Sequence, residues 1–170
     1  MGRSWRPLLS ASAFIAFLVL SRFSTLIPCV KVKGLEALAS VLSASVRTVP
    51  FFIYLIVLAY ARRSLDVFLE GVALNVLILL FKFLFNTPRP VPMGTPGYPS
   101  GHAARAFWLA LVVDSKWRPV LLLYAALVAW SRVELCAHYP LDVVGGALLA
   151  VIVREVWVGA RRGRGGPAGI

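Results

Sequence analysis

What most constrains the fold of this chain is a set of apolar blocks too long for the buried helices of a water-soluble core. Six can be separated, at residues 8–27, 51–61 (with a milder stretch, 35–46, before it), 65–85, 101–114, 117–131 and 141–159. A full helical span of a bilayer takes roughly 20 residues. The fourth and fifth blocks are therefore short; they either begin below the headgroups or thin the bilayer locally. The second block is too short on its own as well, so its span must recruit residues before Pro50, where proline either kinks the helix or starts it. Alternatively, residues 35–46 lie along the interface.

Composition agrees with a bilayer. Of the 170 residues 59% are hydrophobic and 15% charged, against about 25% charged in ordinary soluble domains. The expected fold is an all-α, polytopic transmembrane helix bundle of about six spans with both termini cytoplasmic. One domain occupies residues 1–160. Residues 161–170, rich in Gly and Arg with Pro167, read as a disordered basic tail held near anionic headgroups. The first apolar run follows two arginines, as in a signal peptide, but leads into Ser21-Arg22-Phe23-Ser24 without a small-x-small cleavage site. It reads as an uncleaved first span. Arg6 stands where an N-myristoylation signal needs Ser or Thr.

The net charge of +11 raises the question of nucleic acid, but the basic residues sit mainly at the ends of apolar blocks, where cytoplasmic anchors and headgroup contacts belong. No nucleic-acid partner is expected; the partners are the bilayer and a lipid substrate. With the N-terminus cytoplasmic, that side collects Arg3, Arg6, Arg62, Arg63, Lys116, Arg118, Arg161, Arg162 and Arg164, as the positive-inside bias requires. The other side then holds Lys31, Lys33, Arg47, Lys82, Arg89, Arg105 and Arg132, an exception that needs a reason.

Three clusters at the expected outer ends of spans supply one. They are Lys82 with Arg89-Pro90, then Pro99-Ser100-Gly101-His102, then Ser131-Arg132 with His138 and Asp142. Each has an ordinary reading alone: a snorkelling lysine, a stiff proline loop, a turn whose Ser100 caps a helix, a His–Asp hydrogen bond across a helix start. Together, both histidines of the chain share a face with three cations. Ionisable groups at membrane depth are costly and usually functional, and such a cluster calls for an anion. Phosphate suits the Arg fork, the Lys point charge and the amides of a helix N-terminus.

The order and spacing of these clusters resemble the type 2 phosphatidic acid phosphatase superfamily, whose signatures Lys-x6-Arg-Pro, Pro-Ser-Gly-His and Ser-Arg-x5-His-x3-Asp are met at every fixed position between Lys82 and Asp142. The resemblance implies a metal-independent membrane lipid phosphatase without a cofactor; the charge placement puts its site at the extracytoplasmic face of the cell membrane. It implies that His138 attacks phosphorus and becomes a phosphohistidine, that Asp142 orients His138, and that His102 protonates the leaving oxygen. It further implies that Lys82, Arg89, Arg132, Ser100 and the Gly101 amide bind phosphate.

Arg105, one turn past His102, is a candidate contact for a second phosphate or a headgroup; pairing with Glu134 or snorkelling is the alternative. Glu134 reads as a solvated loop charge, or as a group tuning an arginine. A polyprenyl diphosphate ranks first among substrates, because the chain is close to a minimal catalytic unit and Arg105 suits a diphosphate. Phosphatidylglycerophosphate or phosphatidate follows. A lipid phosphotransferase and a membrane scaffold or small transporter are the other classes. Soluble acid phosphatases and vanadium haloperoxidases share the signatures, but six apolar spans argue against both. Cys29 and Cys136 would both face the oxidising side, where disulfides persist; either they pair, tying the first loop across the His138 loop, or both stay free thiols.

Overall fold

The computed structural model describes residues 5–163. Seven helices follow in order: α1 (Trp5–Arg22), α2 (Glu36–Ser45), α3 (Thr48–Ala61), α4 (Leu65–Phe85), α5 (Gly101–Val112), α6 (Arg118–Glu134) and α7 (Pro140–Gly163). The chain is all-helical among the described residues and is an integral membrane protein. Two helices, Leu65–Phe85 and Pro140–Arg162, are each long and apolar enough to cross a membrane. The α2–α3 pair makes a third if its halves, bent by 46°, count as one span. Large apolar side chains such as Ile53, Val57, Val76, Leu80, Phe83 and Val151 stay exposed, the surface a bilayer covers.

The ends of these elements follow from local chemistry. The first apolar block reaches residue 27, yet α1 stops at Arg22. Ser21 turns its hydroxyl back onto the Leu18 carbonyl at 2.7 Å, and Pro28 pushes the residue before it out of helical conformation. Residues 36–45 form a helix of their own, separated from α3 by Val46 and Arg47. Pro50 occupies the first turn of α3, where the missing N–H costs nothing, so proline starts this helix and the bend falls just before it. α7 continues through Gly163, so Arg161 and Arg162 belong to its last turn; the rest of the basic tail lies outside the described residues.

With α2 and α3, bent by 46°, taken as one element, successive helices run in opposite directions. One end of the bundle gathers the ends of α3, α5 and α7 and the start of α4: Arg62 pairs with Asp114 at 2.9 Å and Arg161 with Asp66 at 3.1 Å. The opposite end gathers Lys82, His102, Arg132 and His138. α5 packs on both α6 and α7, α1 on α7, α2 on α6 and α3 on α4. Phe17, Phe51, Leu55, Leu74, Ile78, Tyr98, Trp108 and Leu149 form the core. Tyr98 donates to the Phe17 carbonyl at 2.6 Å, fastening α1 beneath the loop that precedes α5. A Cβ at Gly146 would collide with the Ser100 carbonyl and crowd Ala104. Small residues are what allow two membrane helices to approach this closely, and here the approach sets the start of α5 against α7.

Within the bundle, Glu70 is 1% exposed. It accepts from the Trp108 indole at 2.9 Å and from Arg154 at 2.7 Å. This joins α4, α5 and α7 through groups whose hydrogen bonds are otherwise unobtainable in hydrocarbon.

Candidate active site

The cluster is built from four helix ends, of α4, α5, α6 and α7, with the 86–100 loop and the turn between α6 and α7. α4 ends at Phe85 and is closed by Asn86, whose N–H donates to the Lys82 carbonyl at 2.9 Å and whose left-handed backbone (φ 45) turns the chain out of the helix. Lys82, in that last turn, is 8% exposed and donates to the carbonyls of Pro96 at 2.6 Å and Gly97 at 3.0 Å. The loop from 86 to 100 is thereby drawn over the bundle, and Thr87 secures it by accepting from the Tyr98 N–H at 2.7 Å. A Cβ on Gly97 would meet the Pro88 carbonyl at 2.7 Å and Asp142 Oδ2 at 3.0 Å, so a residue without a side chain is needed for the loop to lie against α7.

Arg89 projects from this loop and is held at every face of its guanidinium. Nε and Nη2 donate to Thr95 O and Oγ1 at 2.6 and 3.0 Å, and Nη1 to the Ala137 carbonyl at 2.7 Å. The same Nη1 lies 3.1 Å from His138 Nε2. On the other side of that ring, Nδ1 lies 3.2 Å from Asp142 Oδ2. Guanidinium is only a donor, so Nε2 must be the acceptor and the ring proton sits on Nδ1, facing the carboxylate. Burial, reinforced by Arg89, Lys82, Arg132 and His102, holds His138 well below the ordinary histidine range. The imidazole is therefore neutral, with its Nε2 lone pair directed at the cations. Burial likewise lowers Arg89, without removing its charge at neutral pH.

Asp142 is fully buried and stands in the first turn of α7, which Pro140 begins. Its Oδ2 also accepts the Tyr139 N–H at 3.0 Å, and its backbone carbonyl accepts the Ser100 N–H at 2.9 Å. The second and third sequence clusters are thus tied through backbone. α5 starts at Gly101, so the amides of its first turn lack intrahelical acceptors and open toward the cluster. Ser100 Oγ, His102 Nε2, Arg132 Nε and Asp142 Oδ1 are buried without a hydrogen-bond partner among the described residues. Unpaired buried polar groups are rare enough to need a reason, and here four belong to one cluster.

Several expectations need correcting. Ser100 occupies the residue before α5 but makes no side-chain cap; its hydroxyl is one of the four unpaired groups. Glu134 is not solvated: it is 1% exposed and accepts the Val32 N–H at 2.7 Å. Arg105 neither pairs with Glu134 nor snorkels. Its Nε donates to Asn75 Oδ1 at 2.9 Å, its Nη1 to the Val46 carbonyl at 3.4 Å, and its guanidinium lies over the Phe51 ring. The cysteines do pair: Cys29 and Cys136 are bridged with Cα atoms 5.4 Å apart.

Other partners were not read from sequence. Arg132 donates to the Ser43 hydroxyl of α2, a contact no spacing announces. Asn75, Glu70 and Arg154 carried a usable signal, being polar or ionisable within apolar runs.

Fold and side chains together define a class: an all-helical membrane protein with an anion-seeking cluster of two histidines, an aspartate and three cations at one end. The chain belongs to the PAP2 superfamily, whose family model matches residues 64–162. A curated relative, the undecaprenyl-diphosphatase of Sulfolobus acidocaldarius, is 38% identical over 74 residues, 38% of this chain and 36% of that protein. The match therefore spans little more than a third of the relative's length. Among solved structures, LpxE of Aquifex aeolicus superposes with a TM-score of 0.66 at 24% identity, over 86% of this chain and 94% of that one. A PAP2-type phosphatidylglycerolphosphate phosphatase from Bacillus subtilis superposes at 0.69 with 20% identity, over 94% and 98%.

Proposed function

We propose that this chain is a metal-independent lipid phosphatase of the cell membrane, acting at the extracytoplasmic face, with a polyprenyl diphosphate as the favoured substrate. The observation that carries this reading is the state of His138: Nδ1–H directed at Asp142, Nε2 an acceptor beside Arg89. That is the state a nitrogen nucleophile needs. Membership of the PAP2 superfamily and the undecaprenyl-diphosphatase relative support the substrate class.

In the proposed reaction Nε2 of His138 attacks the terminal phosphorus, and the bond from phosphorus to the bridging oxygen breaks. His102, protonated once an anion lies beside it, gives its proton to that oxygen, and the lipid monophosphate leaves. Asp142 stabilises the positive charge that develops on the ring of His138. His102 then takes a proton from water, which attacks the phosphohistidine and releases phosphate. Lys82, Arg89, Arg132, the Ser100 hydroxyl and the Gly101 amide bind the phosphoryl oxygens and the charge of the transition state. Arg105, turned onto Asn75, braces the cluster from behind. The catalytic unit is residues 1–160, crossing the membrane about six times, with α2 and α3 as the two halves of one span and both termini cytoplasmic.

The test is phosphate release by purified protein in detergent with a chelator present. The panel is a polyprenyl diphosphate, phosphatidylglycerophosphate and phosphatidate, without any acceptor lipid. Release from the diphosphate at the highest kcat/KM is expected. Release only after an acceptor lipid is added would make the chain a phosphotransferase. Activity lost to the chelator and regained with a divalent ion would end the metal-independent reading.

A further inference from the structure

Of the cations expected on the outer side, Lys82, Arg89, Arg105 and Arg132 fall in or beside the sequence clusters; Arg47 does not, and it precedes the part of the chain matched by the family model. The structure places it at the break between α2 and α3, as the residue before the first turn of α3. Two arginines from other helices converge on this break. Arg132 of α6 donates to the Ser43 hydroxyl, and Arg105 of α5 donates to the carbonyl of Val46, the residue adjoining Arg47. Arg47 itself is exposed, and the Ser43 and Val46 contacts just before it set the break against Arg132 and against Arg105, one turn past His102. Three arginines gathered at one place on a membrane bundle repel one another unless an anion meets them. Broken helices in membrane proteins repeatedly present such positions to anionic substrate groups.

We infer that Arg47 is a specificity-determining residue that binds the second phosphate of a lipid diphosphate, the one that stays on the lipid when the terminal phosphoryl group is taken. The inference rests on the lipid phosphatase reading above. Its geometry is that of a cation at the break between α2 and α3, next to the groups that Arg105 and Arg132 hold and apart from the grip of Lys82 and Arg89 on the loop. A phosphate held there is the leaving group of the reaction. It gains negative charge as the bridging bond breaks, so Arg47 serves the transition state as well as binding. A lipid monophosphate has no group to offer at this position and gains nothing from Arg47.

The experiment compares wild type, Arg47→Gln, Arg47→Lys and His138→Ala, each purified in detergent. Phosphate release is measured from a polyprenyl diphosphate and from the matching polyprenyl monophosphate. Losing one charge-assisted contact corresponds to about a tenfold to hundredfold fall, expected in kcat/KM for the diphosphate with Arg47→Gln. The monophosphate rate should stay within about threefold, and Arg47→Lys should recover much of the loss if charge is what matters. Thermal unfolding in detergent, unchanged in Arg47→Gln, separates this from a folding defect. Equal losses on both substrates, or no loss on either, would overturn the inference while leaving the phosphatase reading intact. Phosphate release that persists in His138→Ala would overturn the phosphatase reading, and the role of Arg47 with it.

Discussion

At His138 two hydrogen bonds fix the tautomer and the orientation of the ring. Asp142 Oδ2 accepts a hydrogen bond from Nδ1–H and Arg89 Nη1 donates to Nε2, so the ring is held from both sides with its Nε2 lone pair toward the cations. Replacing His138 with Ala should lower turnover by several orders of magnitude, since groups that act as a unit fail together. Circular dichroism of the same preparation should show unchanged helix, and substantial phosphate release would refute the role. Burial and the neighbouring cations also set the sign of a pH effect. The folded ring is held well below its ordinary value of 6.5, so below that pH the unfolded chain takes up a proton that the folded chain refuses. Stability therefore falls as pH drops below about 6.5, while the ring in the folded chain stays neutral. With only two histidines in the chain, NMR of labelled imidazoles, assigned by a His138→Gln variant, should find His138 untitrated at pH 5.5. A midpoint near 6.5 would contradict the geometry.

Between elements, the first loop and the turn after α6 form a clasp. Cys29 is bridged to Cys136, two residues before His138, and Glu134 accepts the backbone N–H of Val32. Cys136 itself has a left-handed backbone (φ 46), which an untethered L-residue rarely keeps. The bridge closes a loop of 107 residues, and chain entropy assigns about 4–5 kcal/mol to a loop of that order. The Cys29→Ser/Cys136→Ser variant should unfold at markedly lower temperature and lose activity in part, through a looser His138. Mass spectrometry of the unreduced wild type should find no alkylatable thiols; two labelled cysteines would remove the clasp.

Across the whole molecule, the polar network far from the cluster holds the bundle together. Glu70 is enclosed by Trp108 and Arg154, linking α4, α5 and α7. Removing one member of a buried ion pair costs about 3–5 kcal/mol, because the other is stranded. Glu70→Ala should therefore lower the unfolding midpoint sharply, and Glu70→Ala/Arg154→Leu should recover part of the loss. A single variant as stable as wild type would show that the network carries no structural load.

Much was legible in the sequence because the bilayer enforces simple rules. Apolar length located every helix except for the separation of α2 from α3, and Leu65–Phe85 was read to its ends. Lys82, Arg89, His102, Arg132, His138 and Asp142 announced one cluster because charge at the ends of spans is expensive and therefore informative. Tertiary structure alone decided what each side chain touches. Arg105 turned to Asn75, Glu134 went inward to Val32, the cysteines met, and Ser43 came to Arg132, since these partners lie 30 to 107 residues apart. Hydropathy and spacing record which residues avoid lipid; only packing selects the partners that satisfy them.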